Sequence, residues 1–424
     1  MMLRKFIIGS PKEPAKDAYV WNMIGGMLDA CQSALLLLVI SHTNTVEDAG
    51  VYTIAYAIAS LAITLGKYGV RNYQVSDVYE KYSFRTYVQS RIVTSILMVA
   101  VVLYYMARGF FILGYEWNKV FAIMIMGVTK LVDAVEDVFH ARLQQIGRLD
   151  VGAKCITFRY IGIILIICIV LFVTHKLIIA FIVGSIFSWV FFLWTYQIYR
   201  PLLLEEEKDN SVGKDVLYLL IDCFAIAVCG YLSIYVANAP KYAIDAQMTE
   251  AAQARFNYIF MPVYMISTLS TFIFQPLIAK MSYYLGEGKI EELIGLFFRI
   301  IAAIILICVA VYVGSYLFGI PLLSFMYNSD LSGYKKEFMT LLLGGGMLAF
   351  SSFFSVCIVI LRQQKMLLVG YIVPVALELI FIDNVAQSYG IYGVSILYTG
   401  LMFLQCLIFF VILIYSYIIY YRYK

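Results

Sequence analysis

The stretch Lys130-Leu-Val-Asp133-Ala-Val-Glu136-Asp137-Val-Phe-His140 places five ionisable groups in eleven residues of an otherwise apolar chain. Lys130, Asp133, Asp137 and His140 recur at i, i+3, i+7 and i+10, which is one face of a helix. Only ten uncharged residues, Val120 to Thr129, precede Lys130. That is too few to cross a bilayer, so a crossing here must include part of the charged stretch. A charged side chain at the bilayer centre costs about 2.5–3.5 kcal/mol on the insertion scale. The stripe is therefore expected to face other helices or a hydrated cavity. Glu136 to His140 also read as solvated groups at the inner interface. Lys130 and Asp133 read either as a structural ion pair or as part of a transport path.

Further charges lie in apolar runs. Asp29 falls near the middle of one, in Asn22-Met-Ile-Gly-Gly-Met-Leu-Asp29-Ala-Cys-Gln32. Asn22 shares its face and Gln32 lies close to it. An isolated carboxyl in a low dielectric can carry a proton, or it makes an interhelical hydrogen bond as the neutral acid. Asp222 is similar but nearer the inner side. Lys67 and Arg71 are four residues apart, on one helical face near the inner leaflet. Such cations suit a phosphate or pyrophosphate, and also suit ordinary snorkelling. Arg159 and Glu378 fall one position apart in the repeat register described below, which suggests pairing across the two halves or coincidence. Pro262, Pro276, Pro374 and Gly344-Gly345-Gly346 are places where helices can bend.

The elements that must position these groups are long apolar runs. The 424 residues are 62% hydrophobic and 14% charged, against roughly 25% charged in soluble proteins. Runs of span length fall near 18–41, 49–70, 90–112, 118–140, 153–174, 177–199, 215–237, 256–280, 295–318, 338–361, 366–383 and 390–420. Only helices satisfy their own backbone in lipid without closing a barrel. Twenty-three of the 31 Lys and Arg lie at the termini or in every second gap, which predicts cytoplasmic amino and carboxyl termini. Lys16-Asp17 and Lys214-Asp215 open the first and seventh runs. Gln144-Gln145 and Gln363-Gln364 close the fourth and tenth. This common order predicts a tandem repeat of six helices, residues 1–200 and 201–424. The eight cysteines form no CxxC and the three histidines are scattered, so no metal or cofactor is expected. A net charge of +4 does not indicate nucleic acid. No Walker, Rossmann, HExxH or nucleophile-elbow motif is present, and the longest expected outer gap, Asn238 to Arg255, is too short for a catalytic domain.

The stretch Asp48-Ala-Gly50-Val-Tyr52, with Leu65-Gly-Lys-Tyr-Gly69-Val-Arg71-Asn-Tyr-Gln74-Val-Ser-Asp77 after it, resembles polysaccharide flippases. These are the Wzx-type members of the MOP exporter superfamily. The resemblance implies an all-α, MATE-like, V-shaped fold of twelve transmembrane helices in two six-helix bundles. It implies movement of undecaprenyl-pyrophosphate-linked oligosaccharide from the cytoplasmic to the outer leaflet of a bacterial inner membrane, by alternating access coupled to a proton or sodium gradient. Membrane lipid and a polysaccharide polymerase are the partners it suggests, in O-antigen or lipopolysaccharide assembly. Lys67, Arg71, Lys130 and Arg159 then match the cavity cations that hold pyrophosphate, with Asn22 and Gln32 as polar contacts. Asp29, Asp133, Asp137, Asp222 and Glu378 are the ion-coupling candidates. Two other readings stay open: a multidrug or cation antiporter of the same superfamily, and a membrane polysaccharide polymerase or ligase.

Overall fold

The computed structural model describes residues 7–9, 14–77, 81–203 and 213–422. Its long helices are α1 (Pro14–Thr43), α2 (Val46–Lys67), a short α3 (Val70–Ser76), α4 (Phe84–Phe111), α5 (Trp117–Gln145), α6 (Leu149–Thr174), α7 (Leu177–Leu203), α8 (Gly213–Gln247), α9 (Glu250–Phe274), α10 (Ile278–Gly286), α11 (Ile290–Gly314), α12 (Ile320–Met326), α13 (Lys335–Ile360) and α14 (Leu367–Arg422). Among the described residues, ten helical stretches are long and apolar enough to cross a membrane. The charged stripe keeps α5 out of that set, although at 29 residues it has the length. Polar residues start several helices. The hydroxyls of Thr45, Ser83 and Thr249 accept from the backbone N–H groups of Asp48, Thr86 and Ala252 at 3.2, 3.2 and 3.3 Å, filling donors that a first turn leaves empty.

The chain divides into two compact units, Met1–Ile234 and Tyr235–Lys424. In the first, α5 is the hub and packs against α2, α3, α4, α6 and α7, while α1 lies along α6. Ile7 plugs one end of this unit, fully buried among Leu143, Val151, Cys155, Ile198, Tyr199 and Leu203. In the second unit the hub is α13, packed on α9, α11 and α14.

Several expectations change. Gly344, Gly345 and Gly346 do not bend α13, which runs on through them. A Cβ there would press on Tyr398, Val263 and Cys308 respectively, so each glycine admits a different neighbouring helix. Pro276 does mark a break, in the 3-10 turn Gln275–Leu277 between α9 and α10. The outer gap expected from Asn238 to Arg255 is almost all helix: α8 runs to Gln247 and α9 starts at Glu250. Lys67 and Arg71 do not share a helix, because Tyr68 and Gly69 take the left-handed conformation between them (φ 49° and 68°). The last two apolar runs form one helical stretch interrupted at Gly390 (φ 60°).

Candidate functional site

The break after Lys67 organises the first unit. A helix end leaves carbonyls without intrahelical partners, and here the Gly66 oxygen accepts from Arg91 Nη1 and from Thr94 Oγ1. Arg91 is buried two turns into α4, and its Nη2 donates to Asp137 Oδ2 at 2.9 Å. The other Asp137 oxygen takes Arg71 Nη1 at 3.3 Å, and Arg71 Nη2 reaches Gln144 at 3.1 Å. One carboxylate therefore answers two guanidinium groups.

One turn earlier on α5 a second set forms. Lys130 Nζ lies 3.2 Å from Asp29 on α1, 3.2 Å from Asp133 and 3.3 Å from Gln32. It also faces the Tyr56 and Tyr160 rings, at 5.3 and 5.7 Å from their centroids. Arg159 of α6 is wholly buried. Its Nη2 meets Asp133 at 2.5 Å and Glu136 at 2.8 Å, its Nε meets Glu136 at 3.0 Å, and its Nη1 meets Ser188 of α7 at 3.0 Å. His140 Nε2 sits 3.1 Å from the free Glu136 oxygen, close in charge terms but outside hydrogen-bond alignment. The α5 stripe thus faces inward, and its groups cross-link α1, α4, α5, α6 and α7.

Asp29 is not isolated, since Lys130 holds it. The Arg159 guanidinium is taken by Asp133, Glu136 and Ser188 rather than by Glu378. Asn22 is exposed. Lys67 is half-buried and within Coulomb range of Asp133 and Asp137, yet it makes no ion pair among the described residues. Asp222 stands apart from the cluster: its Oδ2 accepts from Lys81 at 3.0 Å and from the Tyr73 and Tyr82 hydroxyls at 3.1 Å each. This ties α8 to the segment between α3 and α4. These contacts with Tyr82, Asp222 and Tyr73 hold the Lys81 ammonium above its usual pKa.

In the second unit Glu378 is fully buried and neither carboxyl oxygen has a hydrogen-bond partner among the described residues. Lys241, also buried, lies over the Phe260 and Tyr264 rings at 5.6 and 5.1 Å. The Tyr264 hydroxyl donates to the Ala237 carbonyl at 2.7 Å and to Asn238 at 3.1 Å. Lys241 lies beyond the run expected at 215–237 and Arg91 at the very start of the run expected at 90–112, so neither stands out in the sequence as a buried cation. Placing the helix ends correctly would have found both. Among the described residues no group of His, Cys, Asp and Glu has the makeup of a metal site.

Solved structures of MOP superfamily transporters share this fold. The chain is similar to a multidrug resistance MATE family transporter of the MOP superfamily in its inward-facing conformation (15% identity, TM-score 0.63, covering 96% of this chain and 98% of that one). It is similar to the lipid II flippase MurJ in an inward closed conformation (13%, TM-score 0.67, 96% and 91%). A MOP superfamily transporter from Pyrococcus furiosus is also similar (12%, TM-score 0.60, 98% and 97%). No protein-family model and no curated protein matches the sequence. With the ten apolar helices, these likenesses make the chain a multi-pass membrane protein with a transporter fold.

Proposed function

We propose that the chain is a flippase for an undecaprenyl-pyrophosphate-linked oligosaccharide, turning it from the cytoplasmic to the outer leaflet of a bacterial inner membrane. The observation that carries this reading is the surplus of positive charge where α2, α3 and α4 meet. There Lys67, Arg71 and Arg91 lie in range of Asp137, and Lys67 makes no ion pair among the described residues. A sugar-pyrophosphate head cannot enter hydrocarbon without replacing its hydration. Cations already desolvated beside the inner leaflet would replace it, with Lys67 and Arg71 as the first contacts. Lys130 and Arg159 are spent on internal carboxylates, so they position the site rather than hold the substrate. Gln32, bonded to Lys130, supports the same frame, and Asn22 remains open to the substrate.

The same reading takes both termini as cytoplasmic, and takes α14 as two crossings broken at Gly390. With α5 this makes twelve crossings in two six-helix repeats divided near residue 200. Asp29, Asp133 and Asp137, each in contact with a cation, and Glu378, without one among the described residues, are the groups through which a proton or sodium gradient would couple. Asp222 belongs to the clasp with Lys81. The antiporter alternative needs an unbalanced acidic cavity, and in the first unit the buried carboxylates are neutralised. Deleting the gene in a strain without a paralogue should stop surface polysaccharide and leave the lipid-linked unit on the cytoplasmic leaflet. Normal surface glycan in that strain would refute the reading.

A further inference from the structure

One oxygen of Asp222 collects three donors. Lys81 Nζ lies 3.0 Å from its Oδ2, and the Tyr73 and Tyr82 hydroxyls donate to the same atom at 3.1 Å each. The donors do not depend on Asp222 for their place. Asp77, at the end of α3, accepts from the backbone N–H groups of Lys81 and Tyr82 at 2.9 and 3.1 Å and from the Tyr87 hydroxyl at 2.7 Å. Lys81 Nζ also lies over the Tyr82 ring, 4.8 Å from its centroid, and the Tyr73 and Tyr82 rings are 5.8 Å apart. The cradle is thus built on α3 and the turn into α4, and Asp222 reaches into it from α8. Few side chains reinforce that contact. Leu219 and Cys223 of α8 pack with Val70, Tyr82, Tyr87 and Val138, and Ile226 lies against Gly69 at the α2–α3 break. Leu217, Tyr218, Ile221 and Phe224, elsewhere on the same stretch of α8, are exposed.

An ammonium and two phenolic hydroxyls converging on one point select an anionic oxygen. The side chains of Asp222 and Lys81 are 37% and 58% exposed, so the pair is open to a competitor, and an ion pair that wet contributes little net stability. Asp222 has the advantage of being tethered, which a free anion of equal charge does not overcome. A diphosphate brings more charge and more acceptor oxygens than one carboxylate, and so can displace it. We infer that Lys81, Tyr73 and Tyr82 form a site for a phosphate oxygen of the lipid-linked headgroup, and that Asp222 is its built-in occupant. The headgroup displaces Asp222, and the exchange frees the first half of α8 from the α2–α3 break, where Lys67 and Arg71 lie. Headgroup binding and release of α8 are then one event. This rests on the flippase reading for the identity of the anion.

The test uses the full chain in phosphatidylcholine vesicles with a radiolabelled, sugar-free polyprenyl diphosphate. Saturating probe should lower amide protection over residues 214–227, whereas a ligand that only added contacts would raise it. Asp222→Asn should lower that protection without the probe and bind the probe about fivefold tighter, since the internal competitor is gone. Lys81→Gln should also loosen α8 but bind the probe about tenfold more weakly. Tyr82→Phe keeps the ring and removes one donor, and should weaken binding too should the lysine variant not fold. Affinities that move in the same direction in Asp222→Asn and Lys81→Gln, or not at all, would reduce the contact to a structural clasp and overturn the proposal. Equal loss of protection with inorganic pyrophosphate, or with phosphatidylglycerol in the vesicle, would overturn the assignment to a lipid-linked diphosphate. If the wild type flips a lipid-linked glycan while the probe leaves α8 protected, the latch fails and the flippase reading stands. If the probe binds and releases α8 but no lipid-linked glycan is flipped, the flippase reading fails and the diphosphate site remains.

Discussion

Arg159 carries the heaviest single obligation in the first unit, since Asp133, Glu136 and Ser188 all depend on it. Removing one partner of a buried ion pair leaves a bare charge and costs about 3–5 kcal/mol. Arg159→Leu is therefore expected to destabilise on that scale, read from thermal unfolding in detergent. Adding Asp133→Asn and Glu136→Gln should restore part of the loss. Lys67→Ala should behave in the opposite way, with an unchanged unfolding temperature and strongly reduced flipping in a vesicle assay. Equal unfolding losses at both positions would remove the distinction between positioning and binding cations. Asp29→Asn tests coupling: transport with undiminished rate and pH dependence would exclude it as the coupling group. The inward-facing stripe on α5 was legible in the sequence, because ionisable residues in an apolar run have few places to point. Its partners were not, because Asp29 lies 101 residues before Lys130 and spacing carries no information about such pairs. For the same reason Asp29 read as isolated, and pairing of Arg159 with Glu378 stood level with coincidence.

The break between α2 and α3 is the local feature on which the cation arrangement turns. Gly69 holds φ 68°, and a Cβ there would meet Ile226 of α8 at 2.6 Å. Gly69→Val adds both a strained backbone, about 1–3 kcal/mol, and that collision. It should displace Arg71 from Asp137 and lower both stability and transport. Periodicity alone ran the second helix through this point, since a Tyr-Gly pair is compatible with helix and the left-handed turn is decided by what packs on it. Helix existence, by contrast, was readable nearly everywhere from run length. Ends were misjudged where polar residues continue a helix, as from Asn238 to Gln247. The clasp of Lys81 on Asp222 has a defined pH response. A lysine whose pKa is raised on folding adds stability that is fully present below the ordinary value, about 10.4, and is lost only as pH climbs past the raised one. Amide protection at the start of α8, taken as exchange relative to the intrinsic rate at each pH, should thus be flat across neutral pH and fall at strongly alkaline pH. Lys81→Met should show the lowered protection at every pH.

For the molecule as a whole, α5 poses a problem of order. It is long enough to cross, yet its own composition excludes it from the ten apolar stretches. The groups that neutralise it lie on both sides in the chain: Asp29 on α1, Arg71 on α3 and Arg91 on α4 before it, Arg159 on α6 after it. During synthesis, α5 emerges from the ribosome while Asp133 and Glu136 still lack their guanidinium. The insertion machinery should therefore hold it back at the lateral gate until α6 arrives, and release the two as a hairpin. A nascent chain arrested with α5 exposed but α6 still in the exit tunnel should leave a glycosylation or cysteine-labelling reporter on the wrong side. One long enough to expose Thr174 should correct it, and Arg159→Leu should abolish the correction.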